Sequence, residues 1–163
     1  MRSLAILGLC AMFAAVAYAG PGGDNRICDP CINIDGAISP TPAYQTIAGT
    51  TSGQPNSEYS YSFCTTQGGA YRFTFCEGGG SAMFDTGLSV QGPDVCGSYI
   101  VCNDDFCGLQ SQVDFYAPMA ASYIIVVDGY SSGAGSYVLA YRGPEAPSPN
   151  DEASWGEIKA LYR

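Results

Sequence analysis

The chain has 163 residues, with 15 acidic side chains, six basic ones and no histidine, for a formal charge of −9. A chain this acidic repels a phosphate backbone, which argues against a nucleic-acid partner. Without histidine the usual general base at neutral pH is missing, and so is any Ser/His/Asp or Cys/His nucleophile system.

Residues 1–19 read as a secretory signal peptide. Arg2 supplies the positive start, Leu4 to Val16 is the apolar stretch, and Ala17-Tyr18-Ala19 is a small-x-small cleavage pattern. The apolar run falls short of the ~20 residues that span a bilayer, so no stable membrane span is expected. A mature chain starting at Gly20 is expected to be secreted or held at the cell surface. It would keep 15 acidic and five basic residues (Arg26, Arg72, Arg142, Lys159 and Arg163), a charge near −10. Its seven cysteines are Cys28, Cys31, Cys64, Cys76, Cys96, Cys102 and Cys107. Export makes disulfides the expected state, and an odd count leaves one thiol free or paired with another chain. Zinc is the competing reading, but Cys28-Asp29-Pro30-Cys31 is the single C-x-x-C and an oxidising compartment disfavours an all-thiolate site.

Residues 20–57 are rich in Gly, Pro, Ser, Thr and Asn and read as an N-terminal lead-in with one strand near Tyr44–Gly49. Cys28 and Cys31 either bridge each other or staple this lead-in to the rest. From residue 58 the pattern turns regular. Tyr59, Tyr61 and Phe63 alternate with Ser60, Ser62 and Cys64. After a Gly68-Gly69 turn, Tyr71, Phe73 and Phe75 alternate with Arg72, Thr74 and Cys76. That period of two is half-buried strand chemistry. Further strands follow at Phe84–Val90, Ser98–Val101, Gln112–Ala117, the nearly continuous apolar run Ser122–Val127, and Gly135–Tyr141. The run at 122–127 is short and β-branched, which favours a buried central strand. The expected fold is therefore all-β, an antiparallel sandwich or jelly roll of about eight strands over residues 58–142. Residues 143–163 read as a Pro-rich linker, then a short helix from Trp155 to Tyr162 capped by Ser154.

The densest chemistry lies between Cys96 and Cys107, which hold Cys102 and the triplet Asn103-Asp104-Asp105 between them. Asp85, Asn103, Asp104 and Asp105 are hard oxygen donors of the kind calcium takes. The alternative is that Asp85 and Asn103 accept backbone N–H bonds and simply fix the loops. Connectivity is open from sequence alone. Cys96–Cys102, closing a small loop, and Cys76–Cys107, tying a strand end to the acidic loop, are the favoured pairs. Cys64 is then left for Cys28 or Cys31, or stays free. Paired carboxylates among Asp85, Asp104, Asp105, Asp114 and Asp128 would be the means of a small hydrolase, but turn aspartates are common for backbone reasons. Of the 12 tyrosines, Tyr99, Tyr116, Tyr130 and Tyr141 are candidates for outward-facing contact.

Phe84-Asp85-Thr86-Gly87-Leu88-Ser89-Val90, Cys96-Gly97, Cys102-Asn103-Asp104-Asp105, Cys107-Gly108, Ile125-Val126-Val127-Asp128-Gly129-Tyr130 and Gly135-Ser136-Tyr137-Val138-Leu139 follow one another in an order that resembles the bacterial pre-peptidase C-terminal domain. The resemblance covers about half the chain, from Tyr59 to Tyr141. It implies a secreted β-sandwich accessory module without catalytic activity, some of whose relatives bind calcium or matrix polymers. No accompanying catalytic domain is expected within these 163 residues. The expected role is binding, to an extracellular polymer or a secreted protein. The alternatives are an envelope structural protein anchored through Trp155–Arg163 and the carboxylate hydrolase.

Overall fold

The structure, a computed structural model, describes residues 28, 30–31, 33–65, 68–93, 96–97 and 99–145. The expected signal peptide and C-terminal helix lie outside these residues. The described chain is all-β, with strands β1 (Gly36–Ile38), β2 (Gln45–Thr50), β3 (Tyr59–Cys64), β4 (Gly69–Thr74), β5 (Ser81–Ala82), β6 (Thr86–Gln91), β7 (Tyr99–Asn103), β8 (Gln112–Ala117), β9 (Ser122–Gly129) and β10 (Ser136–Arg142). They form two stacked sheets. The first runs β1-β3-β9-β6-β7 and the second β2-β10-β4-β8, with β5 added onto β10. Every pairing is antiparallel except β1 with β3, which is parallel.

Alternation in the sequence becomes facing in the sandwich. Phe63 from the first sheet meets Phe73 of the second at 4.9 Å between ring centroids, and Phe115 meets Tyr123 at 4.8 Å. With Tyr71, Leu88, Val90, Ile125, Val127 and Leu139 they build one core between the sheets. Burial of rings of this size drives the association of the two layers. Where tyrosine enters the core it finds a partner for its hydroxyl, as Tyr61 and Tyr137 do at 2.7 Å. Burial raises the pKa of both phenols. Gly49 is required here, since a Cβ at this position would lie 2.4 Å from the Tyr137 hydroxyl.

The lead-in is part of the sandwich, which corrects the expected boundary at residue 58: it supplies an edge strand to each sheet, β1 and β2. Before β1 it crosses the outer face of the first sheet. Cys31 buries there against Ile124 and Val126, the outward side chains of β9. Asp35 then exchanges bonds with Ser60, accepting its N–H on Oδ2 at 2.9 Å and donating to its carbonyl at 2.9 Å. This strap explains the continuous apolar run of β9, which is buried on both faces.

The disulfides hold the strap down. Cys28 is joined to Cys102 and Cys31 to Cys96. The expected Cys96–Cys102 bridge is therefore corrected: each of these cysteines lies beneath the strap and takes a partner from it instead of from its own hairpin. Cys28 and Cys31 are likewise unavailable to Cys64 or to a zinc ion. Buried Gln91 joins the same junction, its Oε1 accepting from the N–H of Cys31 at 3.0 Å and of Gly97 at 3.2 Å. Cys76 is joined to Cys107, and no described cysteine is a free thiol.

Candidate functional site: the three-loop end of the sandwich

Three connections converge at one end of the sandwich: residues 83–85 before β6, 104–111 between β7 and β8, and 130–135 between β9 and β10. Their convergence follows from the register, which sets Thr86 against Gly129 and Leu88 against Asn103. Backbone bonds then knit the loops. Tyr130 N–H donates to Asp85 O at 2.9 Å, and Thr86 N–H to Leu109 O at 3.1 Å. Gln110 Nε2 donates to Phe84 O at 3.2 Å. Inside the long loop, Phe106 and Cys107 both donate to Gln110 O at 3.0 Å. The Cys76–Cys107 disulfide ties that loop to the end of β4. Beneath it Ser111 N–H donates to Thr86 Oγ1 at 3.0 Å and Ser111 Oγ to Asp104 O at 2.6 Å.

The backbone is thus held while the side chains point outward. Met83 is 95% exposed, and Phe106, Leu109 and Tyr130 are all more than half exposed. Burial on folding does not account for these exposed apolar side chains on fixed loops. Tyr130 was among the outward tyrosines expected from sequence. Met83, Phe106 and Leu109 were not; their signal was an apolar residue isolated in a Gly/Ser/Asp loop, without strand alternation around it.

The candidate oxygen donors lie on these loops or, for Asn103, at the end of the strand that enters one of them. Asp85 is raised above the ordinary aspartate pKa, first by burial and then by the charges of Asp105 and Asp104, so the three carboxylates share one electrostatic neighbourhood. Two of the donors already serve the loop: Asn103 Oδ1 accepts the Gln112 N–H at 3.2 Å, and Asp104 Oδ1 the Asp105 N–H at 2.9 Å. Among the described residues no three His, Cys, Asp or Glu side chains converge as a metal-holding group.

The other candidate residues scatter. Asp114 lies on the outer face of the second sheet, gripped by Arg72 at 2.6 and 3.0 Å. Asp128 is buried and accepts the Gly129 N–H at 2.7 Å. Tyr99 and Tyr116 are exposed as expected, while Tyr141 is corrected to a core residue, its strand position opposite Phe73 turning the ring inward. The five aspartates considered for hydrolysis therefore do not line one cleft.

The fold, a two-sheet β-sandwich, is similar to that of a pre-peptidase C-terminal domain. One such solved structure is the pre-peptidase C-terminal domain of the collagenase of Bacillus anthracis, with a TM-score of 0.52 and 16% identity over 67% of this chain and 96% of that one. Two other solved structures align more loosely. One is the Aeromonas hydrophila periplasmic inhibitor of g-type lysozyme, with a TM-score of 0.47 and 13% identity over 66% and 96% of the two chains. The other is the Yersinia pseudotuberculosis-derived mitogen, at 0.41 and 20% over 68% and 92%. No protein-family model matches the sequence, and no curated protein does.

Proposed function

We propose that the protein is a secreted, non-catalytic binding module that docks through its three-loop end onto another secreted protein. The observation that carries this reading is the group of exposed apolar side chains Met83, Phe106, Leu109 and Tyr130 on loops fixed by hydrogen bonds and a disulfide. Loops fixed in advance lose little freedom on binding, which favours affinity. Asp85, Asp104 and Asp105 at the same end select a partner whose apolar contact surface is bordered by lysine or arginine, and the acidic chain as a whole steers such a partner inward. Export follows from the signal-like residues 1–19 and agrees with a disulfide-stapled domain. A bound calcium ion would relieve the repulsion at Asp85 but would have to compete with the loop's own hydrogen bonds.

The test is retention of proteins from the culture fluid on the immobilised full chain. A Met83→Ser/Phe106→Ser/Leu109→Ser variant and an Asp85→Asn/Asp104→Asn/Asp105→Asn variant run beside it. A protein held by the unaltered chain, released by salt and lost from both variants is the expected result. Equal retention by all three would remove the loop end from the account.

A further inference from the structure

The outer faces of the two sheets differ: the strap covers the first, while much of the second is open. Across that open face the register sets three outward side chains in a row on neighbouring strands: Asp114 on β8, Arg72 on β4 and Arg142 on β10. Arg72 grips Asp114 with two bonds and donates to Glu77 Oε1 at 2.6 Å. Tyr44 donates its hydroxyl hydrogen to the same Glu77 oxygen at 2.5 Å. The ring of Tyr44 carries the guanidinium of Arg142, whose central carbon stands 5.3 Å from the ring centroid.

Among the described residues the Arg142 side chain makes no hydrogen bond or close ion pair, though its charge reaches Glu77. Stacking holds its N–H groups in place, and no described residue accepts from them, which suits them to a ligand. Tyr116 is 71% exposed on the same face, opposite exposed Ala70, with no large neighbour on that strand to cover it. Two strand spacings and two residues separate Tyr116 from Arg142, or about 12 Å between backbones. That is about the span of a short oligosaccharide.

We propose that this strip, with Tyr116 at one end and Arg142 over Tyr44 at the other, is a binding platform for an uncharged polysaccharide. The exposed ring offers a flat apolar surface to the C–H face of a sugar. The open N–H groups of Arg142 and the carboxylates of Asp114 and Glu77 offer donors and acceptors to its hydroxyls. The strip holds two cations and two anions, so it adds no net charge, while the chain at −9 repels polyanions. The ligand this selects is rich in hydroxyls and without charge. This surface is separate from the loop end, so the module is able to hold a protein and a polymer together.

Affinity electrophoresis of the full chain tests it, in native gels containing hydroxyethylcellulose, glucomannan, laminarin or soluble starch, with alginate gels for comparison. Retardation is expected in at least one neutral polysaccharide and not in alginate. Tyr116→Ala and Arg142→Ala are each expected to weaken it about tenfold, and Tyr130→Ala at the loop end to leave it unchanged. Both altered residues lie outside the core, and circular dichroism checks that each variant folds. Migration unaffected by all four neutral polysaccharides overturns the proposal. So does retardation that Tyr116→Ala and Arg142→Ala leave intact, or retardation in alginate alone.

Discussion

The three-loop end and the open face of the second sheet use carboxylates in opposite ways. On the sheet, Glu77 is held below its ordinary pKa of 4.5 by the Tyr44 hydroxyl first and by Arg72 second. Its charge is satisfied inside the molecule. At the loop end, Asp85 is raised above 3.8 by burial and by the two like charges of Asp105 and Asp104. A carboxylate that pairs at home belongs to the scaffold or to a neutral recognition strip. On the proposed reading, a carboxylate in a repulsive group beside exposed apolar rings awaits a partner that brings the positive charge. The difference teaches that acidity in this chain is local: it advertises one end and is cancelled on one face.

The comparison breaks hardest at the disulfides. A Cys76→Ser/Cys107→Ser variant opens the staple of the long loop, whose cysteines are 31 residues apart. The expected cost is about 3 kcal/mol, or roughly 15 °C of melting temperature. Partner retention should fall with it while migration in neutral polysaccharide gels stays as it was. Loss of both together would show that the two regions are not independent.

Opposite pKa shifts predict opposite pH behaviour. A lowered folded-state pKa contributes stability above the unfolded value, which is lost as pH falls through the folded value. Glu77→Gln should therefore lower the melting temperature at pH 7, with the loss vanishing well below pH 4.5. A raised folded-state pKa contributes stability below the unfolded value, which is lost as pH rises through the folded one. Asp85→Asn should thus raise the melting temperature at pH 7, and the gain should vanish below pH 3.8. Both groups meet solvent, so each shift should stay within about 2 °C. Thermal melts across pH 3 to 7 decide it, and shifts of the same sign would erase the contrast.

The smallest effect is calcium. With Asn103 and Asp104 engaged by backbone N–H groups, millimolar calcium should move the melting temperature by less than about 1 °C. A larger rise, abolished by Asp104→Ala, would turn the loop end into a metal site.

Much of this fold was legible in the sequence because its strands alternate cleanly. Tyr71, Phe73 and Phe75 on one side and Arg72 and Thr74 on the other needed no tertiary knowledge to place. Short elements were not legible. Gly36–Ile38 has too few residues to show a period, and only its parallel pairing with β3, joined by the Asp35–Ser60 bonds, places it. Two-residue β5 has no periodicity at all. The strap's disulfides join residues 74 and 65 positions apart, a distance at which local spacing favours the wrong partner. At the site, the grouping of Asp85 with Asp104 and Asp105 could be guessed from strand ends. The apolar half of the patch was missed, because Met83, Phe106 and Leu109 carry meaning only once burial is known. The row of Asp114, Arg72 and Arg142 is a matter of register, which no single strand reveals.

Hydrogen exchange on the full chain, with and without the protein it retains, tests the central claim most directly. Docking through the loop end predicts new protection confined to residues 83–86, 104–111 and 129–134. Protection that falls on the strap or the outer face of the second sheet, with those three loops unchanged, would contradict it.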